Sequence, residues 1–216
     1  MKLATTAVAA LMGVLVASSA AAVDRDGRFA IEGGGLQTCT DYQSALRWRT
    51  ADLPAYGGWI EGYLTAVNQA RGDLFDLTPW QTTESLLSLL GSVCGQLPGE
   101  TRVALALDRL VALLLPQALR EESPVIAVEA GDGAAYAFYV AVLDRINAAL
   151  RGRGHAVVSL PGHFGDDTRA GLRAVQAGAG LSETGLPDQR TLFVLLLGAE
   201  PVEAEVEASS LVEVQP

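Results

Sequence analysis

From about Thr40 onward, apolar side chains recur every three or four residues, the period of helices with one buried face. Tyr42 and Leu46 open the pattern, and Trp59, Ile60, Tyr63, Leu64 and Val67 continue it, with Asp52-Leu53-Pro54 and Gly57-Gly58 dividing the segments. Turn residues fill 69 to 79, among them Gly72, Asp73 and Asp76. The next helix is predicted to start at Thr82-Thr83-Glu84, carry Leu86, Leu87, Leu89, Leu90 and Val93, and stop before Pro98. Between 100 and 119 a wide apolar face runs through Val103, Leu107, Leu110, Val111, Leu114 and Leu115. Asp108 and Arg109 interrupt that stretch, so it is expected to be a core helix and not a membrane span.

A linker is expected over 120 to 133, from Glu121-Glu122-Ser123-Pro124 to Gly131-Asp132-Gly133. The short apolar run 125 to 128 is a candidate strand with no evident partner. A further helix is predicted over 134 to 151, with Tyr136, Tyr139, Val140, Leu143, Ile146 and Leu150 on one side and Gly152 and Gly154 at its end. The fold class expected is therefore all-α: a helical bundle over 39 to 119, then a smaller helical domain over 134 to 198.

The first 22 residues obey other rules. Lys2, an apolar run to Ala17 and the small residues Ser18-Ser19-Ala20-Ala21-Ala22 match a cleavable signal peptide, so the mature chain is expected to start near Val23 without a stable membrane anchor. The segment 23 to 38, with Gly33-Gly34-Gly35, is expected to be a flexible lead-in. Export changes how the two cysteines are read. In an oxidising compartment Cys39 and Cys94 are expected to pair as a structural disulfide, since neither a C-x-x-C pair nor a neighbouring His marks a reactive thiol. Fifteen Lys and Arg against twenty-five Asp and Glu give a net charge of -10, which repels nucleic acid. The tail 199 to 216 is acidic and is expected to be solvated.

One stretch carries a motif. Phe164-Gly165-Asp166-Asp167-Thr168-Arg169-Ala170-Gly171-Leu172-Arg173-Ala174-Val175-Gln176 leads, after a glycine turn, into Gly180-Leu181-Ser182-Glu183-Thr184-Gly185-Leu186-Pro187-Asp188-Gln189-Arg190-Thr191-Leu192. In order and spacing this resembles the small three-helix peptidoglycan-binding domains often attached to cell-wall hydrolases. The likeness extends from Asp144 to Leu197, with two departures: Pro161-Gly162 stands where the family has Asp-Gly, and Val175 where it has an aromatic. Gly162, Phe164, Gly165, Thr168, Leu172, Leu181, Gly185, Asp188 and Thr191 are the motif positions, expected to serve the fold. Asp166 or Asp167 is expected to cap one helix and Asp188 the last, with Phe164, Leu172, Leu181, Leu186, Leu192 and Leu195 as core and Ala179 beside Leu172 and Val175. The resemblance implies a shallow peptidoglycan-binding groove at Arg169, Arg173, Gln176 and the Thr184 turn. More loosely, Cys39, Trp59-Ile60-Glu61-Gly62-Tyr63, and Cys94 with Pro98 resemble small exported helical proteins with one disulfide, including some periplasmic immunity proteins.

Other candidate chemistry is sparse. His155 and His163 are too few for a zinc site and are expected to be solvated turn residues. Glu84, Asp73 and Asp76 offer carboxylates with nothing to fix their geometry, and no G-x-S-x-G, H-E-x-x-H or phosphate-cradling loop occurs. No catalytic residue, metal or cofactor is assigned. Trp48, Trp59 and Trp80 are weighed between core packing and a sugar or protein contact. The function expected is that of an exported, non-enzymatic protein, periplasmic or cell-wall associated, whose partner is peptidoglycan. The alternative is a periplasmic protein-interaction or inhibitor role residing in the bundle.

Overall fold

The computed structural model describes Asp26, residues 28–130 and residues 135–198. The segment expected to be a signal peptide, Gly131-Asp132-Gly133 of the expected linker and the acidic tail lie outside the described residues. The described residues up to Ile31 form one unit, in which Arg28 pairs with Asp26 at 2.7 Å. Everything described from Glu32 onward forms another.

Thr38 accepts from the Asp41 amide while Asp41 accepts from the Thr38 amide, a reciprocal capping box that starts α1 (Cys39–Trp48). Arg49, in the left-handed region at φ 50°, ends it. Pro54 sits in the first turn of α2 (Leu53–Ala70), where its missing N–H costs nothing. Thr82 caps α3 (Thr83–Cys94) through the Ser85 amide, and α4 (Val103–Leu114) comes next. The four helices bury a core that includes Tyr42, Ile60, Leu90, Leu107 and Leu110. Cys39, at the start of α1, is bonded to Cys94, the last residue of α3.

The expected flexible lead-in is folded at its end. Gly33–Leu36 is a 3-10 turn packed on α2, and Gly35 is buried. Backbone bonds tie the adjoining residues to the start of α4: the Cys39 amide donates to the Thr101 carbonyl at 2.8 Å and the Val103 amide to the Gln37 carbonyl at 2.9 Å.

The C-terminal part departs from expectation in one element. The helix predicted from Ala134 begins only at Val140, as α5 (Val140–Gly152). Before it, Ala135–Tyr139 is a strand, β2, paired antiparallel with β1 (Val125–Glu129). Aromatic residues alternating with Ala in Ala135-Tyr136-Ala137-Phe138-Tyr139 suit a pleated strand, and the run 125 to 128 is its partner. Ile126 faces Phe138 and Val128 faces Tyr136 across the ladder, with Val128 and Phe138 buried. Then come α6 (Asp166–Gly178) and α7 (Gln189–Leu192), the latter continued by a π-helical segment, Phe193–Leu197. The fold is predominantly helical.

A second hydrophobic cluster holds Val142, Leu143, Ile146, Leu150, Leu172, Leu192 and Phe193. Trp80 belongs to it although it lies just ahead of α3: it is buried, with its ring 5.5 Å from that of Phe193. The Gln189 side chain fastens this contact, donating to the Trp80 carbonyl at 2.6 Å and accepting from the Thr82 amide at 3.3 Å. Among the described residues no helix is long and apolar enough to cross a membrane.

Candidate functional site

The motif begins where α5 meets the loop leading into α6. Asp144 accepts from the Gly162 amide at 2.7 Å, and Asn147 donates to the His163 carbonyl at 2.6 Å while accepting from the Thr168 hydroxyl at 3.0 Å. Asn147 and Thr168 are buried, so this bridge replaces solvent that neither reaches. Gly162 has φ +65°, and a Cβ there would lie 3.1 Å from Val140, close enough to force a shift. Neither aspartate caps α6: the N-cap is Gly165, with no side-chain cap. Asp167 instead accepts from the Val158 amide and pairs with His163, both at 2.7 Å. His163 is thus held in a partly buried pair, not solvated as expected.

The Val158 amide, and after it the His163 side chain, hold the Asp167 carboxyl down at about 2. A carboxyl depressed on folding adds stability above its unfolded pKa of about 3.9, and that stability is lost as pH falls towards the folded value. The melting-temperature advantage of the natural protein over Asp167→Asn should therefore be full near neutral pH and shrink from about pH 4 to about pH 2. Thermal melts across that range check it; a pH-independent difference would show that the contribution is not ionic.

Gln176, near the end of α6, is completely buried. Its Nε2 lies within 3.1 Å of four acceptors: Thr184 Oγ1, the Leu186 carbonyl, Asp188 Oδ2 and Thr191 Oγ1. Its Oε1 accepts from the Gly185 amide at 2.8 Å. One amide therefore sets the course of the chain from 184 to 191. Asp188 caps α7, accepting from the Thr191 amide at 2.9 Å. Gly185 has φ +69°, and a Cβ there would come within 2.7 Å of Arg173 Nη1 and 3.0 Å of the Arg169 carbonyl, so the turn lies directly on α6.

These facts sort the expected groove residues. Gln176 cannot line a groove, because it is enclosed and saturated. Arg169 is half-buried: its guanidinium lies 4.7 Å from the Phe164 ring centroid and donates to the Glu129 carbonyl at 2.6 Å, joining α6 to the hairpin. Arg173 is exposed, beside the Gly185 turn, and makes no ion pair with a described residue. Thr184 is exposed, but its hydroxyl is turned in to Gln176 and the Leu186 amide. Leu172, Leu192 and Leu195 are core as expected. Phe164, Leu181 and Leu186 are only half-buried and Ala179 is exposed, because the core of this part is closed instead by the hairpin and Trp80.

Sequence reasoning overlooked Asp144 and Asn147. The signal was present: two polar residues one turn apart in α5, with Asn147 set among the buried residues Leu143, Ile146 and Leu150. The other carboxylates weighed are occupied singly. Asp73 pairs with Arg71 and Arg120, Glu84 with Arg49, and Asp76 accepts from the Thr78 amide. No group of three His, Cys, Asp or Glu gathers among the described residues to hold a metal ion.

No curated protein and no solved structure matches the chain at a significant level. Residues 144–195, from the loop-bracing side chains of α5 to the end of the Gln176 network, match a family model described as "Putative peptidoglycan binding domain", so the C-terminal third is similar to a domain of that kind.

Proposed function

We propose that this is an exported, non-enzymatic protein that binds peptidoglycan through its C-terminal domain. The match over 144–195 is the observation that carries the reading. In support, the Gln176 network stiffens the 184–188 turn against α6, so that Arg173 and the outer side of Thr184 stand together on a fixed surface, with Arg169 beside them. Arg173 suits the carboxylates of a stem peptide, since its guanidinium has five donors and no ion-pair partner among the described residues.

Cosedimentation of the full-length mature protein with isolated sacculi tests this. Arg173→Glu should reduce retention at least severalfold, an effect of about 1–3 kcal/mol for a lost charged hydrogen bond compounded by repulsion. Retention of the natural protein should rise with salt where shape and hydrogen bonds hold it, because salt screens the repulsion of an acidic protein by an anionic wall, and fall where the Arg173 charge dominates. Equal retention of both proteins would remove the surface from consideration. Deleting the whole domain is a poorer test, because it would bare Trp80.

A second reading places the function in the bundle as a protein-interaction or inhibitor module. It is favoured by Trp48, which is 71% exposed at the end of α1 with Arg47 over its ring. That reading predicts a stoichiometric protein partner and no retention on sacculi.

A further inference from the structure

The bundle has a cavity of its own, about 520 Å3 in volume, where the 3-10 turn meets the corner between α1 and α2. Ligand pockets run from about 300 to 1,000 Å3, so the size suits a small molecule or a side chain. Its polar lining is Gln37, Asp41, Ser44, Thr50, Asp52 and Tyr56, and no cation lines it.

Among the described residues, neither the Thr50 nor the Tyr56 hydroxyl in this lining has a hydrogen-bond partner. Thr50 Oγ1 is buried without a hydrogen bond. A buried hydroxyl left unpaired costs about 1–3 kcal/mol, so this corner of the bundle is less than fully satisfied, though the oxygen itself is closed to a ligand. Tyr56 is only 7% exposed and packs edge-on against Tyr42, yet its hydroxyl is bonded to no described residue. Burial first, then the charges of Asp41 and Asp52, push its pKa up, so the hydroxyl stays neutral in a negative field.

Both carboxylates are on exposed residues; Asp41 spends Oδ2 on Thr38, and its Oδ1 and the Asp52 carboxylate have no partner among the described residues. Hydrogen bonds from the side chain and backbone of Thr38 hold Asp41 below the usual carboxylate range, so it is ionised. Arg102, whose charge reaches Asp41, is turned to the Leu36 carbonyl. Asp52 precedes α2 without capping any amide and has no ion-pair partner among the described residues. The cavity thus offers anionic and hydroxyl oxygens in excess. The complementary group is positive and rich in N–H donors. A primary ammonium has three such donors on a compact charge, whereas a calcium ion requires six to eight oxygen ligands.

We propose that this cavity binds a protonated primary amine, its ammonium shared by Asp41 and Asp52, with the Tyr56 hydroxyl as a further acceptor and its alkyl stem along Ala45 and Ala55. The site is separate from the C-terminal surface, and neither proposal depends on the other. The test titrates the isotope-labelled full-length mature protein with n-butylammonium chloride in the millimolar range, monitored by amide NMR. Saturable shifts are expected at Asp41, Ser44, Thr50, Asp52 and Tyr56. Asp52→Asn should weaken binding about tenfold or more, as for one lost charged hydrogen bond, and Tyr56→Phe severalfold. Glu121→Gln, an equal loss of charge outside the cavity, should leave the affinity unchanged. Because Asp52 caps nothing, its variant should melt with the natural protein, which separates lost binding from lost folding. The proposal is overturned if no saturable shifts occur, or if Glu121→Gln weakens binding as much as Asp52→Asn. It is equally overturned if tetramethylammonium, which has no N–H donor, binds as well, or if calcium chloride saturates the same amides more tightly.

Discussion

Gln176→Ala should cost about 3–5 kcal/mol of unfolding free energy, at the upper end of what a single substitution does. Two penalties combine. Truncating a fully enclosed side chain leaves a cavity, and the groups that faced the amide lose their partner together. The Gly185 amide loses an acceptor, while the Leu186 carbonyl and the oxygens around Thr191 lose a donor. The cost of burying unpaired polar groups exceeds the net gain of any one hydrogen bond, so the whole network and not a single bond sets the size of the effect. Urea denaturation should show a lower midpoint with an unchanged slope. A loss below about 1 kcal/mol would mean that water enters and replaces the amide. Gln176→Ala should also lose retention on sacculi under conditions where it is still folded, since the surface near Arg173 depends on the turn that Gln176 holds.

The second large effect is expected from opening the disulfide. Cys39 and Cys94 are 55 residues apart, and closing a loop of that length restricts the unfolded chain by about 4 kcal/mol. For a chain of this size that corresponds to a fall in melting temperature of roughly 10 °C. A competing effect lies close by. The Cys39 and Thr40 amides donate to the Thr101 and Gly99 carbonyls, and Val103 donates to Gln37, so the start of α1 is already laced to the start of α4. Three such bonds contribute about 1 kcal/mol each, less than the cystine, and they must form against the same loop entropy once it is reduced. Melting with and without reductant, with free thiols counted to prove full reduction, checks the prediction. An unchanged transition would assign the tie to the backbone bonds alone.

How far each element could be read from sequence depends on the range of the forces that make it. The helices of the bundle were legible, because the spacing of Val103, Leu107, Leu110 and Leu114 states one buried face within a single segment. The Thr38 and Thr82 starts rest on bonds that span three residues. Asp188 was equally local, and it caps α7. Asp166 and Asp167 offered the same chemistry but do not cap α6, because the Val158 amide and His163 draw Asp167 away, and neither partner is visible from the helix start. The hairpin was missed for a similar reason. The run 125 to 128 has value as a strand only if another pairs with it, and the aromatics of 135–139 also fit a helical face when α5 continues without a break.

The sequence alone determined the helices of the bundle, where the two cysteines sit, and the likeness of the last third to a peptidoglycan-binding domain, since each is written in local spacing or in a fixed order of residues. Tertiary structure decided which motif residues face solvent. It enclosed Gln176, turned the Thr184 hydroxyl inward, and left Arg173 outside beside the Gly185 turn. It also carried Trp80 out of the bundle core to Phe193 and gathered Asp41, Thr50, Asp52 and Tyr56 around one cavity. Burial is set by what packs against a residue from distant parts of the chain, and that is a property of the assembled molecule.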